Sequence, residues 1–277
     1  MTRFLRTCTV VLALFSPALA SAAYNCSISS GGIATAYSPS TPTTTIMQTS
    51  FNLTCTRALS DATTMSYTVA ANNGSNATGT HNRAAFGGSF IRYDLFKDSA
   101  CGSQWRGPQT ITGTLNFSGS TSASIDVAFW GCITAGQTGL AAGTYTDLVT
   151  MSLTYGPSST TATGSFPVSI ATPAVCNLTT APTDIVFSYT GFGAAANAST
   201  TFGVTCTSYL AYTMALDATS GTLLGLGYTL ALSASSGTGS GVAQSYSITG
   251  TIAAGQSGTC GSGSCSASQA RTLTITY

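Results

Sequence analysis

Apolar and polar residues alternate along short stretches of this chain, and clusters of Gly, Asn, Ser and Pro separate these stretches. A period of two is typical of β-strands that bury one face, and the 3.6-residue period of helices is nearly missing. Many short strands between turn signals predict antiparallel β-sandwiches. We expect strands near residues 50–56, 65–70, 90–96, 111–117, 122–130 and 146–155, and near residues 185–189, 200–207, 212–217, 227–232, 245–252 and 271–277.

An internal repeat connects the two groups of strands. Four segments recur in the same order: FNLTC at 51–55 and FGVTC at 202–206, RYDLF at 92–96 and GYTLA at 227–231, ITAGQTG at 133–139 and IAAGQSG at 252–258, and LVTMSLTY at 148–155 and RTLTITY at 271–277. The repeat predicts two tandem all-β domains, at residues 21–155 and 164–277, joined by a linker at 156–163.

Residues 1–20 have the features of a secretory signal, namely a basic start, the apolar run TCTVVLALF at 7–15 and small residues near Ala20. A short membrane anchor is the alternative. Secretion favours disulfides, and eight cysteines remain after the signal is removed. Their spacing suggests Cys26–Cys55, Cys176–Cys206 and Cys260–Cys265, which leaves Cys101 with Cys132.

Charged residues are scarce, at 5% of the chain against about a quarter in typical soluble domains. No basic patch is available for nucleic acid. A serine hydrolase would have to use His81, the one histidine, which lies in a polar run typical of a surface loop. The aspartates form no catalytic or calcium-binding motif. We therefore expect neither an enzyme nor a bound cofactor or metal.

The loops of the first domain carry a candidate contact site. If its strands are consecutive and antiparallel, loops 57–64, 97–110 and 131–145 meet at the tip far from the linker, where the Cys101–Cys132 disulfide would join two of them. Leu59, Trp105 and Leu140 lie in these loops and could form an exposed apolar site. Alternatively, Trp105 folds down to cap the sandwich.

Several motifs resemble the spore coat protein U domain, the domain of secreted pilins in archaic chaperone–usher pili. They are ITAGQ at 133–137 with AGTYTD at 142–147 and VTMSLTY at 149–155, and YDLFKD at 93–98 with WRG at 105–107. The resemblance covers both copies, but the second lacks the Gly-x-Tyr-x-Asp step. It implies immunoglobulin-like sandwiches that lack their last strand, which a periplasmic chaperone supplies first and the next pilin subunit supplies in the fibre.

Two-domain members of this family resemble tip adhesins, so the leading hypothesis is an adhesin that an outer-membrane usher places at the pilus tip on the cell surface, where it binds an unknown surface or receptor. A structural coat protein or minor shaft subunit without adhesive role is the alternative. The segment between the signal and Cys26 has too few residues for a donor strand. We expect Leu273, Ile275 and Tyr277 to form an edge strand that can accept one.

The segment from residue 156 to Cys176 begins as a Ser/Thr/Pro stretch and ends as an alternating strand. Phe166, Val168 and Ile170 share one face of this strand. In a pilin, the segment before the first cysteine is the donor strand. We therefore expect this strand to close the first sandwich in cis while the second sandwich stays open.

Overall fold

The computed structural model describes residues 24–39, 42–261 and 263–277. The regular elements within these ranges are β-strands, and among these residues no helix is long and apolar enough to cross a membrane. The signal sequence expected at residues 1–20, with Cys8, lies outside the described part of the chain. The expected all-β fold of two tandem sandwiches is confirmed.

The first sandwich extends from Tyr24 to Thr172, where the described residues form ten strands. They are β1 (Asn25–Ser30), β2 (Ile33–Ala36), β3 (Thr45–Thr56), β4 (Thr64–Ala71), β5 (Asn82–Phe86), β6 (Ser89–Phe96), β7 (Ile111–Asn116), β8 (Ser122–Ile133), β9 (Gly143–Tyr155) and β10 (Thr160–Thr172). One layer has the order β1-β3-β8-β6 and the other the order β7-β4-β9-β10-β2, while β5 pairs with both β6 and β9. The inward residues of both layers form a core that includes Phe51, Trp105 and Phe129.

The second sandwich follows after three residues, and between Cys176 and Tyr277 the described residues form eight strands. They are β11 (Cys176–Thr180), β12 (Ala196–Cys206), β13 (Ala211–Leu216), β14 (Ser220–Leu223), β15 (Leu226–Leu232), β16 (Ser236–Thr238), β17 (Gln244–Ile252) and β18 (Leu273–Thr276). One layer has the order β11-β12-β17-β15-β14 and the other only β16-β13-β18. Its core, which includes Phe202, Tyr212 and Ile248, is separate from that of the first sandwich.

The internal repeat explains how the two sandwiches correspond. The segments that end in Cys55 and Cys206 lie in β3 and β12, and those that end in Tyr155 and Tyr277 form β9 and β18. In the first sandwich β9 is followed, across the sheet, by β10 and then β2. In the second, β18 is the last strand of its sheet among the described residues. Within this part of the chain, the second sandwich therefore shows no counterparts of β10 and β2 in this layer.

The boundary between the sandwiches differs from the expectation. Residues 156–163 are not a linker, because 156–159 form a tight turn in which the Ser159 amide donates to the Gly156 carbonyl at 3.2 Å, and β10 begins directly afterwards. Gly156 adopts φ +71°, which suits such a turn. Residues 164–172, expected in the second domain, lie in β10 and thus in the first sandwich. The two cores separate at residues 173–175.

We expect Phe166→Ala in β10 to destabilise the first sandwich by about 3 to 5 kcal/mol, because it leaves a cavity where a fully buried ring had packed. Both tryptophans, Trp105 and Trp130, lie in the first sandwich. Tryptophan fluorescence during urea unfolding therefore reports on this sandwich alone, and its midpoint should fall.

The matched control is Ser165→Ala, one residue earlier on the exposed face of the same strand. It should leave the fluorescence midpoint nearly unchanged. Equal effects of the two substitutions would show that β10 does not belong to the first core.

Candidate functional site

The position of β10 defines the candidate site, since the same position is open in the second sandwich. β10 runs antiparallel to β9 over its whole length, from Thr160 opposite Tyr155 to Thr172 opposite Gly143. Its other edge pairs in parallel with β2, where Val168 lies opposite Ile33. Phe166, Val168 and Ile170 are at most 1% exposed. The strand therefore fills a slot between β9 on one side and β1 and β2 on the other.

Gly164 lets β10 cross close to β1. A Cβ at this position would collide with the Ile28 carbonyl oxygen, so a side chain would push the two strands apart. The inward row of β10 is thus small at Gly164 and large from Phe166 onward.

In the second sandwich, the corresponding slot is an open groove. β18 pairs only with β13, so its other edge has no strand partner within the described residues. A cavity of about 680 Å³ lies beside this edge. Its apolar lining includes Ile185, Phe187, Leu230, Ile248 and Leu273.

Burial of the repeated inward residues shows what the open slot changes. Met151, Leu153 and Tyr155 of β9, beside which β10 runs, are 0%, 0% and 5% exposed. Their counterparts Leu273 and Ile275 are only half-buried, and Tyr277 is 57% exposed. Of the acceptor edge expected at Leu273, Ile275 and Tyr277, Leu273 lines the cavity, and all three residues are less buried than their counterparts in β9.

The far wall of the groove is the segment 182–189. The strand expected at 185–189 does not form, although Ile185, Phe187 and Tyr189 pack against the second core as alternating residues would. The corresponding β2 pairs only with β10. Segment 185–189 therefore has strand periodicity but no neighbouring strand with which to form a ladder.

The repeated Ala-Gly-Gln motif fixes both walls of each slot. In the first sandwich, the Gln137 side chain donates to the Arg92 carbonyl at 2.7 Å and accepts from the Arg92 backbone amide at 2.8 Å. The backbone amide of Gln137 donates to the Tyr37 hydroxyl at 3.0 Å. Gln256 makes the same three contacts, with both backbone groups of Gly227 and with the Tyr189 hydroxyl. The groove of the second sandwich is therefore built from the same anchors as the filled slot.

A second repeated contact differs in its chemistry. In the first sandwich, the Tyr93 hydroxyl donates to the Asp147 carboxylate at 2.8 Å, and this carboxylate also accepts from the Ser75 amide at 2.8 Å. Burial, together with the nearby Asp147 charge, raises the pKa of Tyr93 far above its usual value. In the second sandwich, Tyr228 donates to the Gln269 amide oxygen at 2.6 Å. The group that accepts the hydrogen bond of the tyrosine is thus a carboxylate in one copy and an amide in the other.

The structure corrects two of the three residues expected in an apolar tip site. Trp105 is fully buried, and its indole N–H donates to the Val69 carbonyl at 2.9 Å. Leu140 is 3% exposed and belongs to the first core. Both side chains fill the sandwich because burial of a large apolar group outweighs its display to water. Leu59, at 78% exposed, does project into solvent.

The expected grouping of the three loops is also wrong. β3 and β8 place Thr56 opposite Ser122, and β4 places Tyr67 opposite Tyr155, so loop 57–63 lies at the end of the sandwich that carries the 156–159 turn. Loops 97–110 and 134–142 lie at the other end, where β10 leaves for the second sandwich. The expectation assumed that consecutive strands run in opposite directions. β8 and β4 both start at the end with the 156–159 turn, and β6 and β7 run antiparallel to them, so β6 and β7 run in the same direction.

Arg57 organises the loop that presents Leu59, and the sequence did not reveal this role. Its guanidinium is buried and donates to the carbonyls of Ser120, Ala58 and Asp61 at 3.0, 3.1 and 2.7 Å. Arg57 is one of only six arginines and lysines after the signal. This rarity of charged residues was the only sign in the sequence that Arg57 has a structural role. Residues 57–63, residues 117–121 and the 156–159 turn form one end of the first sandwich. We call this end the free end.

Among the described residues there are four disulfides, and they join the pairs that the spacing suggests: Cys26–Cys55, Cys101–Cys132, Cys176–Cys206 and Cys260–Cys265. The loop that carries Cys101 is further held by Asp98, whose carboxylate accepts from the Gly102 and Ser103 amides at 3.1 and 2.7 Å. These backbone hydrogen bonds lower the pKa of Asp98. This loop is thus a stapled structural element at the end opposite Leu59.

His81 contacts a carboxylate, but the surroundings are those of a structural ion pair. Its Nδ1 lies 3.0 Å from Asp94 Oδ2, and Arg92 Nη2 lies 3.3 Å from the same oxygen. Asp94 is buried and also accepts from the Asn82 amide at 3.4 Å. In the described ranges, no group of three or more His, Cys, Asp or Glu side chains could hold a metal ion.

The chain was compared with known sequences and solved structures. A search of curated protein sequences finds no match. Among solved structures, the chain is similar to a chain of the CsuC–CsuE chaperone–tip adhesion subunit complex of archaic Csu pili from Acinetobacter baumannii, with 15% identity, 91% of this chain and 100% of that chain covered and a TM-score of 0.46. It is also similar to the CupB6 tip adhesin from Pseudomonas aeruginosa, with 13% identity, 92% and 94% covered and a TM-score of 0.42. The CooA pilin subunit from enterotoxigenic Escherichia coli has 12% identity, 51% and 90% covered and a TM-score of 0.34.

A family model matches the first copy directly. The model of the Spore Coat Protein U domain matches residues 12–152, a little more than half of the 277 residues. The match ends within β9, just before the strand that closes the first sandwich. The protein therefore belongs to the Spore Coat Protein U domain family.

Proposed function

We propose that this protein is the tip adhesin subunit of an archaic chaperone–usher pilus. In this proposal, the second sandwich joins the fibre by accepting a strand from the next subunit, and the first sandwich binds a surface or receptor. The observation that carries the proposal is that one strand position is filled by β10 in the first sandwich and is open in the second. The proposal involves no catalytic step and no cofactor.

Strand addition suits the groove in both backbone and side-chain chemistry. The free edge of β18 offers backbone N–H and C=O groups for a new ladder, and the apolar residues that line the groove offer burial for alternate side chains. β10 gives the expected geometry, with the incoming strand antiparallel to β18 and the row Ile185, Phe187 and Tyr189 on its other side.

The roles of the two sandwiches make the protein an acceptor. β10 is used within its own sandwich, and Tyr24, directly ahead of β1, packs on Phe117 and donates its hydroxyl to the Ala62 carbonyl at 2.9 Å. Neither segment is free to enter another subunit. A subunit whose described segments accept a strand without offering one suits the end of a fibre, which supports the proposed tip position.

The proposal implies a route and partners. An exposed apolar groove at a strand edge favours aggregation, so a periplasmic chaperone would cover it until an outer-membrane usher brings the next pilin. The protein would thus be secreted through the periplasm and act on the cell surface at the pilus tip. The alternative, a structural coat protein or minor shaft subunit, is favoured by the burial of Trp105 and Leu140, which leaves Leu59 alone of the three expected contact residues.

A synthetic peptide with the sequence of β10, residues 160–172, tests strand acceptance. The first sandwich of the full chain is already filled, so the peptide should bind the second sandwich and raise its unfolding temperature in calorimetry. At a peptide concentration 100 times the Kd, linkage gives about 2.7 kcal/mol of stabilisation. A control peptide with serine at the positions of Phe166, Val168 and Ile170 keeps the backbone and loses the inward row.

Stabilisation by the β10 peptide and not by the serine peptide supports the acceptor role. If neither peptide changes the transition of the second sandwich, the groove is not a strand acceptor and the proposal fails.

Leu59→Ser tests the adhesive role of the free end. Since Leu59 is largely exposed and Arg57 holds the loop through main-chain carbonyls, the substitution should lower attachment of piliated cells to an apolar surface without loss of fold or of pilus assembly. Val242→Ser, at an exposed valine of the second sandwich, is the control. Unchanged attachment in the Leu59 variant would favour the structural alternative.

A further inference from the structure

The inward row that borders the groove has two halves of different chemistry. By the repeat, Leu273, Ile275 and Tyr277 correspond to Met151, Leu153 and Tyr155, and both sets are apolar. Two residues before Leu273 in the sequence, the repeat aligns Arg271 with Val149 of the first sandwich. Val149 is fully buried opposite Phe166 of β10. A positive charge therefore lies at the level where the filled slot brings two apolar side chains together.

Arg271 is held in this place by its neighbours. Its Nε donates to the Tyr228 hydroxyl at 2.9 Å, its Nη2 donates to the Ser220 carbonyl at 2.8 Å, and its guanidinium lies 5.6 Å from the centre of the Tyr228 ring. Asp217 accepts from the Thr272 amide at 3.1 Å and donates its own amide to the Thr272 carbonyl at 2.9 Å, which holds the backbone directly next to Arg271. The side chain is thus a fixed part of the groove.

Only one carboxylate lies near this guanidinium in the described chain, and it is poorly placed. Arg271 Nη1 lies 3.9 Å from Asp217 Oδ2, and the side chain of Asp217 is 42% exposed. The Arg271 side chain is 20% exposed while the groove is open. A strand lying along β18 would remove much of the remaining water from Arg271, and a charge that loses water without gaining a partner is costly.

We propose that Arg271 selects the strand that fills the groove, and that this strand carries an aspartate or glutamate at the level where β10 has Phe166. The inference rests on the proposed function, because it concerns the partner of the same groove. Residues directly opposite on paired strands lie about 4.5 to 5.5 Å apart, so an inward carboxylate there reaches the guanidinium. A charge-assisted pair of this kind is stronger than a neutral hydrogen bond and discriminates between strands.

The partner expected from this groove is therefore an alternating strand with one acidic inward residue. Facing Leu273 and Ile275 it carries small residues, as β10 carries Gly164 and Ala162 opposite Met151 and Leu153. Facing Arg271 it carries the carboxylate.

Three fluorescein-labelled peptides test this inference on the full chain by fluorescence anisotropy. All have the sequence of residues 160–172, and they differ only at the Phe166 position, which holds phenylalanine, glutamate or glutamine. The glutamate peptide should bind about tenfold more tightly than the isosteric glutamine peptide, and the ratio should shrink as salt is raised. On an Arg271→Gln variant the two peptides should bind equally.

The phenylalanine peptide separates the possible failures. Its binding to the Arg271→Gln variant shows that the groove of the variant is still folded. If glutamate and glutamine peptides bind the native chain equally, or if their difference persists in the variant, the selection by Arg271 is wrong while strand acceptance stands. If none of the three peptides binds, strand acceptance itself fails.

Discussion

The structure depends on one constraint, namely that the apolar inner face of a β-layer must be covered by a neighbouring strand. β9 satisfies it through β10, which the same chain supplies after a four-residue turn, and its inward residues are almost completely buried. β18 carries the same pattern of residues without such a neighbour, and Tyr277 stays 57% exposed. Within the described residues, the two sandwiches thus differ in whether this strand has a neighbour on its second edge.

The filled slot and the open slot share the same anchors. Gln137 and Gln256 bind the neighbouring strand and a wall tyrosine in the same way, so both slots have the same frame. The two slots differ at Val149 and Arg271, which occupy equivalent positions. Val149 is fully buried in the filled slot, whereas the Arg271 side chain is 20% exposed in the open slot. Charge is tolerated at Arg271 because water still reaches it, and the same charge then sets a condition on any strand that covers it.

Much of the fold could be predicted from the sequence, because alternation, the repeat and the cysteine spacing are local signals. The assignment of Phe166, Val168 and Ile170 to one buried face is of this kind, and the structure places all three in the first core. The burial of Leu140 could not be predicted, and that of Trp105 was one of two alternatives, since loop membership does not say whether a side chain points inward. The grouping of loops failed because β6 and β7 run in the same direction, which follows from their pairings with β8 and β4 and not from their order in the sequence. Segment 185–189 has the period of a strand, but a ladder also needs a partner, which no local pattern supplies.

Residue-resolved amide hydrogen exchange of the full chain, without any added strand, tests the central claim most directly. The account predicts slow exchange for Met151–Tyr155 in β9, which has strand partners on both edges, and fast exchange for those amides of β18 that point into the groove. Equally slow exchange in both segments would show that the edge of β18 is already covered, and would contradict the account.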